Sequence, residues 1–189
     1  MNISDYTLII DNFLNKTECD KLIDYYHNSK NKSRAEEYHG YISCNVEDDF
    51  KISKKINRIA NLYTKKFPES FYTLDKWGLF ELRIKHFKPG FHFTKWHSEH
   101  GVSTPFRMLA MQIYLSSHKC GTKFFNKKTI KSKKGRLAVW PAYFTHTHKG
   151  EVCPENLDRF IFSGYYSFFK WIYLIIIGFF NLSYHQEFA

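Results

Sequence analysis

Short runs of aromatic and β-branched residues, separated by turn signals, fill the chain after Leu74. Strands at such short intervals are typical of antiparallel sandwiches and barrels. The predicted strands are Trp77–Phe87, Phe91–His97, Arg107–Leu115, Thr122–Asn126, Gly135–Trp140, Phe144–His148 and Arg159–Tyr166. Because 43% of the residues are hydrophobic and 19% are aromatic, a disordered polyelectrolyte is excluded.

The residues before this region predict helices that support the sheets. A short apolar strand over Thr7–Leu14 precedes a helix over Asn15–Asn28, in which Thr17 is the candidate N-cap. A polar loop over Ser29–Glu37 follows, and near-helical spacing of apolar residues predicts a second helix over Asp48–Phe67. We therefore expect a mainly β protein with N-terminal helices packed on one face of a sheet.

The length of 189 residues predicts a single domain. Its expected bounds are residues 1–168, with helical support over 1–74 and the barrel over 75–168. Residues 169–189 form an apolar tail around Trp171–Phe180. That run is shorter than the roughly 20 residues of a membrane span. Packing on the barrel or on a partner is therefore preferred, and association with a membrane surface is the alternative.

The four cysteines, Cys19, Cys44, Cys120 and Cys153, are widely spaced and form no Cys-x-x-Cys pair. The chain opens without the basic and apolar segments of a secretory signal. We therefore expect a cytoplasmic protein with free thiols, rather than a disulfide framework or a thiolate zinc site.

A His-x-Glu pair gives the strongest signal for chemistry. In an extended segment His97 and Glu99 face the same way, so both can bind one divalent metal. A second imidazole can come from His146 or His148, which also differ by two positions. Two histidines and one carboxylate form the facial triad of non-haem Fe(II) oxygenases. Arg159 opens the last predicted strand, where its fork of donors suits a carboxylate.

Further motifs surround these residues in a fixed order. They are Phe87-x-Pro89-Gly90, His97-x-Glu99, Arg107, Tyr114-Leu115, Gly121-Thr122-x-Phe124, Gly135 to Pro141, His146 and Arg159. In this order they resemble the Fe(II)/2-oxoglutarate-dependent dioxygenases, in particular the prolyl 4-hydroxylase-like group. The opening from Ile9 to Tyr26 is similar as well, so the resemblance extends to about Phe168. It implies a double-stranded β-helix, which is a jelly-roll barrel with supporting N-terminal helices.

The resemblance also implies a set of iron ligands. His97 and Glu99 supply two of them, although the family usually has Asp at the position of Glu99. The family's second histidine stands five positions after a proline, here Pro141, which favours His146 and leaves His148 as the alternative.

The implied cosubstrate is 2-oxoglutarate, used with Fe(II) and O2, and ascorbate is a candidate reductant. Arg159 would bind the distal carboxylate of 2-oxoglutarate, and Tyr114 would donate its hydroxyl to the same group. The implied reaction is hydroxylation, with a prolyl residue of a protein or peptide preferred over a small-molecule substrate.

Two other functions remain open at this point. A nucleic-acid demethylase would use the same kind of metal centre, and the formal net charge of +10 suits phosphate contacts. A non-catalytic binding module on a jelly-roll scaffold is the second alternative.

Overall fold

The computed structural model describes residues 6–34, 40–46, 53–73 and 77–168. Its strands are β1 (Leu8–Ile10), β2 (Lys32–Arg34), β3 (Ile42–Asn45), β4 (Trp77–Phe87), β5 (Arg107–Tyr114), β6 (Gly121–Phe124), β7 (Thr129–Lys131), β8 (Leu137–Pro141), β9 (His148–Gly150) and β10 (Arg159–Phe168). Its helices are α1 (Lys16–Asn28), α2 (Ser53–Ile56) and α3 (Ile59–Lys66), with 3-10 turns at Pro68–Thr73 and Phe144–His146.

Two antiparallel sheets face each other across an aromatic core. The large sheet has the strand order β1-β8-β5-β10-β4-β3-β2, and the small sheet has the order β7-β6-β9. Alternate residues of β5 and β8, among them Tyr114 and Trp140, pack with Phe124 and Ile130 of the small sheet. The prediction of a mainly β jelly roll is therefore confirmed in its sheets.

The helices cover the other face of the large sheet. Leu22 of α1 and Ile59 of α3 belong to the same buried cluster as Ile84, Ile113 and Phe162 of the central strands. These residues alternate in sequence with those that face the small sheet, so each central strand is buried on both sides. The predicted N-terminal helical support is confirmed by this layer.

Helix α1 has the predicted extent to within one residue, but its N-cap is a different residue from the one predicted. Asn15 is the N-cap: its Oδ1 accepts from the Glu18 amide (2.9 Å), and its own amide donates to Glu18 Oε2 (2.7 Å). This capping box satisfies two amides that the first turn leaves without a partner. The assignment of the N-cap to Thr17 was therefore wrong.

Several strand predictions were wrong in detail. The loop predicted over Ser29–Glu37 contains β2, a polar edge strand whose side chains gave no apolar signal. Strand β7 is only 3 residues long and was missed. Phe91–His97 forms no strand and makes a single bridge, at His97. The strand predicted over Phe144–His148 is a 3-10 turn that leads into β9.

The second predicted helix is interrupted between α2 and α3, and its first residues lie outside the described part of the chain. The apolar tail over 169–189 also lies outside the described residues. Within the described ranges, no helix combines the length and apolar character needed to cross a bilayer.

Two of the cysteines form a disulfide. Cys120 and Cys153 are joined across a Cα–Cα distance of 4.8 Å, which lies in the normal range for such bonds. Cys19 and Cys44 are free and buried. The expectation of free thiols was wrong for the first pair, because the fold brings together two loops that are 33 residues apart in sequence.

Replacing Leu22 with Ala tests the packing of α1 on the large sheet. Leu22 is fully buried, so we expect the variant to lose about 2–5 kcal/mol of unfolding free energy, measured by urea denaturation. Lys21→Ala is the matched control, since Lys21 is exposed on the same helix, and it should change the stability by less than about 0.5 kcal/mol. Equal losses in the two variants would contradict this packing.

Candidate metal centre

Backbone hydrogen bonds join the loop before β5 to the start of β9. The His97 amide donates to the His148 carbonyl (3.0 Å), and the His148 amide donates to the His97 carbonyl (2.9 Å). The Glu99 amide donates to the carbonyl of Ala142 (2.9 Å), just after β8. Residues opposite each other in an antiparallel pair lie on the same face. The rings of His97 and His148 therefore meet, with centroids 4.3 Å apart.

Three side chains converge on one point. His97 Nε2 and His148 Nε2 each lie 3.5 Å from Glu99 Oε1. One ligand atom from each residue lies within 4.8 Å of the other two. Atoms bound in adjacent positions to one divalent ion are about 3 Å apart, so small side-chain movements would close these three around a metal.

The other ring nitrogens are held by backbone carbonyls. His97 Nδ1 lies 3.1 Å from the Lys95 carbonyl, and His148 Nδ1 lies 2.9 Å from the His146 carbonyl. A carbonyl oxygen only accepts, so each Nδ1 carries the proton and each Nε2 turns its lone pair to the centre. Metal-binding histidines are oriented in this way, and the donor set fits a divalent first-row metal.

Positive charge surrounds the Glu99 carboxylate. Burial by itself raises the pKa of Glu99, but the two adjacent histidines and the charge of Lys85 outweigh it and hold the pKa well below its usual range. Arg107 Nη1 lies 3.5 Å from Glu99 Oε2. Burial also lowers the pKa of His148. The Glu99 carboxylate is therefore ionised and the His148 imidazole is neutral, and these are the forms that bind metals.

The structure does not bring His146, the preferred second histidine, into this group. His146 ends the 3-10 turn, and its Nδ1 pairs with Thr145 Oγ1 at 3.0 Å. The turn breaks the strand alternation that would have placed His146 and His148 on one face. His148, the alternative, is the histidine that faces Glu99.

A pocket beside the three side chains has Arg159 in its wall. Arg159 is only 3% exposed, and its Nη1 contacts Cys120 Sγ (3.3 Å) and the Glu151 carbonyl (3.4 Å). Within the described part of the chain no carboxylate pairs with it; the neighbouring Asp158 pairs with His86 (2.7 Å). Burial lowers the pKa of Arg159 to about 10, so the pocket holds a cation at neutral pH.

Tyr114 lies behind the wall of this pocket. Its hydroxyl contacts Thr122 Oγ1 (2.8 Å) and the Ile130 carbonyl (3.0 Å) between the two sheets. Thr122 itself lines the pocket. The structure therefore does not place the Tyr114 hydroxyl directly against a pocket ligand.

Two pocket residues were missed in the sequence. Lys85 of β4 and Gln112 of β5 both line the pocket, and Gln112 Nε2 donates to Thr122 Oγ1 (3.1 Å). A signal existed for Gln112, since it stands two positions from Ala110 and from Tyr114, which belong to the core between the sheets. Strand alternation puts all three on one face, and a polar residue there indicates a site.

No family model matches the sequence, and no curated protein matches it. Solved structures do match. The viral collagen prolyl hydroxylase of Paramecium bursaria chlorella virus 1, in complex with 2-oxoglutarate, has a TM-score of 0.68 at 19% identity, over 86% of this chain and 96% of that chain. A prolyl hydroxylase from Trichoplax adhaerens, in complex with a peptide of hypoxia inducible factor, has a TM-score of 0.62 at 14% identity, over 87% and 84%.

The chain has the fold of the 2-oxoglutarate–Fe(II) oxygenases. The predicted double-stranded β-helix is therefore confirmed, and the resemblance stated above is confirmed at the level of the fold. The 2-oxoglutarate–Fe(II) oxygenase fold also occurs in the non-haem α-ketoglutarate-dependent epimerase SnoN of nogalamycin biosynthesis, with a TM-score of 0.60 at 14% identity over 86% of this chain and 78% of that one. One oxygenase fold thus carries more than one reaction.

Replacing His146 and His148 one at a time with Ala tests which of them binds metal. We expect His148→Ala to lower the affinity for Fe(II), measured by anaerobic titration calorimetry, by more than about 100-fold, because it removes a ligand atom. His146→Ala, the matched control, should change the affinity less than about threefold. The reverse order of the two affinities would contradict the geometry of the site.

Proposed function

We propose that this protein is a 2-oxoglutarate-dependent dioxygenase that hydroxylates a prolyl residue of a protein or peptide. One observation carries the proposal: a single pocket has the His97–Glu99–His148 group at one side and the buried Arg159 in its wall. The first group suits a divalent metal, and the second suits a carboxylate. Both are needed to hold a metal and a dicarboxylate together.

His97, Glu99 and His148 are the proposed ligands of Fe(II). Iron bound there supplies the activation of O2 that oxidises 2-oxoglutarate to succinate and carbon dioxide and hydroxylates a substrate carbon. The chain orients the ligands. A hydrogen bond from each Nδ1 to a backbone carbonyl fixes the orientation of the rings. The hydrogen bond from the Glu99 amide to the Ala142 carbonyl fixes the loop. A fixed geometry is the protein's main contribution when the metal performs the chemistry.

Arg159 is the proposed partner of the distal carboxylate of 2-oxoglutarate. The Phe87 ring lies under its guanidinium, 4.4 Å from the ring centroid to Cζ, and holds the plane of the fork. Its Nε has no hydrogen-bond partner among the described residues. We assign Tyr114 an indirect part, since its hydroxyl holds Thr122 in the pocket wall.

Exposed aromatic residues next to the metal ligands support a peptide or protein substrate. Trp96 precedes His97, is 39% exposed and contacts Phe125, which is 71% exposed. Lys149, which follows His148, lies 4.8 Å from the centroid of the Trp96 ring. Aromatic side chains are enriched where proteins bind other chains. A prolyl ring is a compact apolar group that packs well on aromatic side chains.

Replacing Arg159 with Met tests its role toward 2-oxoglutarate. Removing one member of a buried charge pair costs about 2–5 kcal/mol, so we expect KM for 2-oxoglutarate to rise at least about 30-fold. Succinate release measured against 2-oxoglutarate concentration gives the value. Arg58→Met is the matched control, because Arg58 is exposed near α3, and its KM should stay unchanged. An unchanged KM in Arg159→Met would rule out this assignment.

A substrate panel tests the reaction itself. Anaerobically purified protein receives Fe(II), 2-oxoglutarate, ascorbate and air, together with prolyl peptides, free amino acids or methylated oligonucleotides. We expect prolyl peptides to increase succinate release and to gain one oxygen atom by mass spectrometry. His97→Ala should abolish both signals. Ascorbate should raise total turnover by keeping the iron ferrous. Turnover with methylated oligonucleotides alone would replace the proposal by a demethylase, and turnover with none would refute it.

A further inference from the structure

A second cluster of metal-binding side chains lies outside the pocket. His118, Cys153 and Glu155 each offer a ligand atom, and the three atoms lie within 4.8 Å of one another. They come from two connecting loops, one between β5 and β6 and one between β9 and β10. Cys120 belongs to the same cluster, because its sulfur is bonded to that of Cys153. Three side chains with mutually close ligand atoms, and a fourth bonded to one of them, thus lie where the two loops touch.

The sequence arranges these residues as two facing pairs. His118-Lys119-Cys120 lies on the first loop, and Cys153-Pro154-Glu155 lies on the second. The fold brings the His118 and Glu155 side chains beside the Cys120–Cys153 pair, so each loop contributes one sulfur and one further ligand atom. This is the ligand number and chemistry of a four-coordinate zinc site with sulfur, nitrogen and oxygen donors.

The two ligands other than cysteine each have one atom fixed and one atom without a partner. His118 Nε2 lies 2.9 Å from Ser116 Oγ, whereas its Nδ1 is buried and has no hydrogen-bond partner among the described residues. Glu155 Oε1 accepts from the Lys119 amide (2.8 Å), whereas its Oε2 is buried and has no such partner within the same ranges. Buried polar atoms normally find a partner, and a metal ion would satisfy both.

We propose that the dithiol form of this loop pair is a structural zinc site with His118, Cys120, Cys153 and Glu155 as ligands. The disulfide is its metal-free, oxidised form. A phosphine or a dithiol donates two electrons, the sulfur–sulfur bond breaks, and two thiols form with two protons taken from water or from the dithiol. Zinc then displaces the two thiol protons, since the thiolate is the form that binds metal. The loops are partly exposed, so the metal has a path of entry.

The surroundings of Cys120 suit a charged sulfur. Arg159 Nη1 lies 3.3 Å from Cys120 Sγ. A zinc ion with two thiolates and one carboxylate carries a net negative charge, and a neighbouring guanidinium stabilises it. Ser116 Oγ can accept a hydrogen bond from His118 Nε2. A zinc-binding imidazole normally donates its other N–H to such a partner. This zinc site does not depend on the proposed oxygenase activity.

Cobalt(II) titration of the full-length chain tests the zinc site. The chain carries His97→Ala to disable the other metal centre, is reduced with a phosphine and is desalted anaerobically. Tetrahedral Co(II) bound to thiolates absorbs strongly by sulfur-to-metal charge transfer, which a site with only histidines and a carboxylate cannot produce. We expect one equivalent of Co(II) to give this absorption and Zn(II) to displace it.

Variants and oxidation then locate the signal. Cys153→Ser should lower the affinity more than about 100-fold, and His118→Ala should weaken and shift the d–d bands. Cys44→Ala, a matched cysteine control in the core, should keep the full signal. The air-oxidised disulfide form should bind no Co(II). Absence of charge transfer in the reduced chain, or its persistence in Cys153→Ser, would overturn the site.

Alkylation of the unmodified chain avoids any effect of the variants on folding. With Zn(II) present, Cys120 and Cys153 of the reduced protein should be protected from iodoacetamide at least tenfold, and a chelator should remove the protection. Mass spectrometry of peptides reports each cysteine separately. Equal alkylation rates with and without Zn(II) would overturn the site, whatever the outcome of the hydroxylation assay.

Discussion

The backbone pairing of His97 with His148 is the contact on which the candidate metal centre depends. The loop between β4 and β5 contains no strand, yet it follows the free edge of β9. The Gly150 amide donates to the Phe93 carbonyl (3.0 Å), and two bonds join His97 to His148. The small sheet thus gains an irregular fourth member. The side chains of His97 and His148 line one pocket together with Gln112 and Ile161 of the large sheet, so they point into the barrel. A metal centre at this point needs no special local sequence beyond residues that can ligate.

The pocket beside this centre has a cost that folding alone does not explain. Burying a cation without a partner costs several kcal/mol, and Arg159 is buried with only neutral contacts. Lys85, on the neighbouring strand β4, also lines the pocket and has its pKa lowered to about 8 by burial. The negative charge of Glu99 balances one of these two cations. A divalent metal bound to Glu99 would cancel that balance. The pocket therefore attracts anions, and two carboxylates on one small ligand would satisfy it better than any single charge.

Much of this arrangement could be predicted from the sequence, because strands are recognisable by alternating apolar residues and by their aromatic content. Strand β4 was predicted over its full range, and His97 and Glu99 were paired correctly in space. The predictions that differed from the structure lie where the strand alternation is locally broken. Counting positions from Pro141 favoured His146, but the 3-10 turn Phe144–His146 breaks the alternation, and His148 is the histidine that faces Glu99. The Cys120–Cys153 contact depends on where two long loops end, which no periodicity records.

The excess of positive charge has a structural use that composition alone could not reveal. Lys133 Nζ and Arg136 Nε pair with Asp11 at 2.9 and 2.6 Å. Such exposed pairs contribute only about 0–1 kcal/mol each. They flank a firmer contact, in which the Leu14 amide donates to the Gly135 carbonyl (3.2 Å). Gly135 has φ +80°, and a Cβ there would lie 2.1 Å from the Leu14 carbonyl oxygen, so only glycine fits. The basic turn before β8 therefore fixes the N-terminal segment against the sheet, and part of the charge that favoured a nucleic-acid partner is already used within the chain.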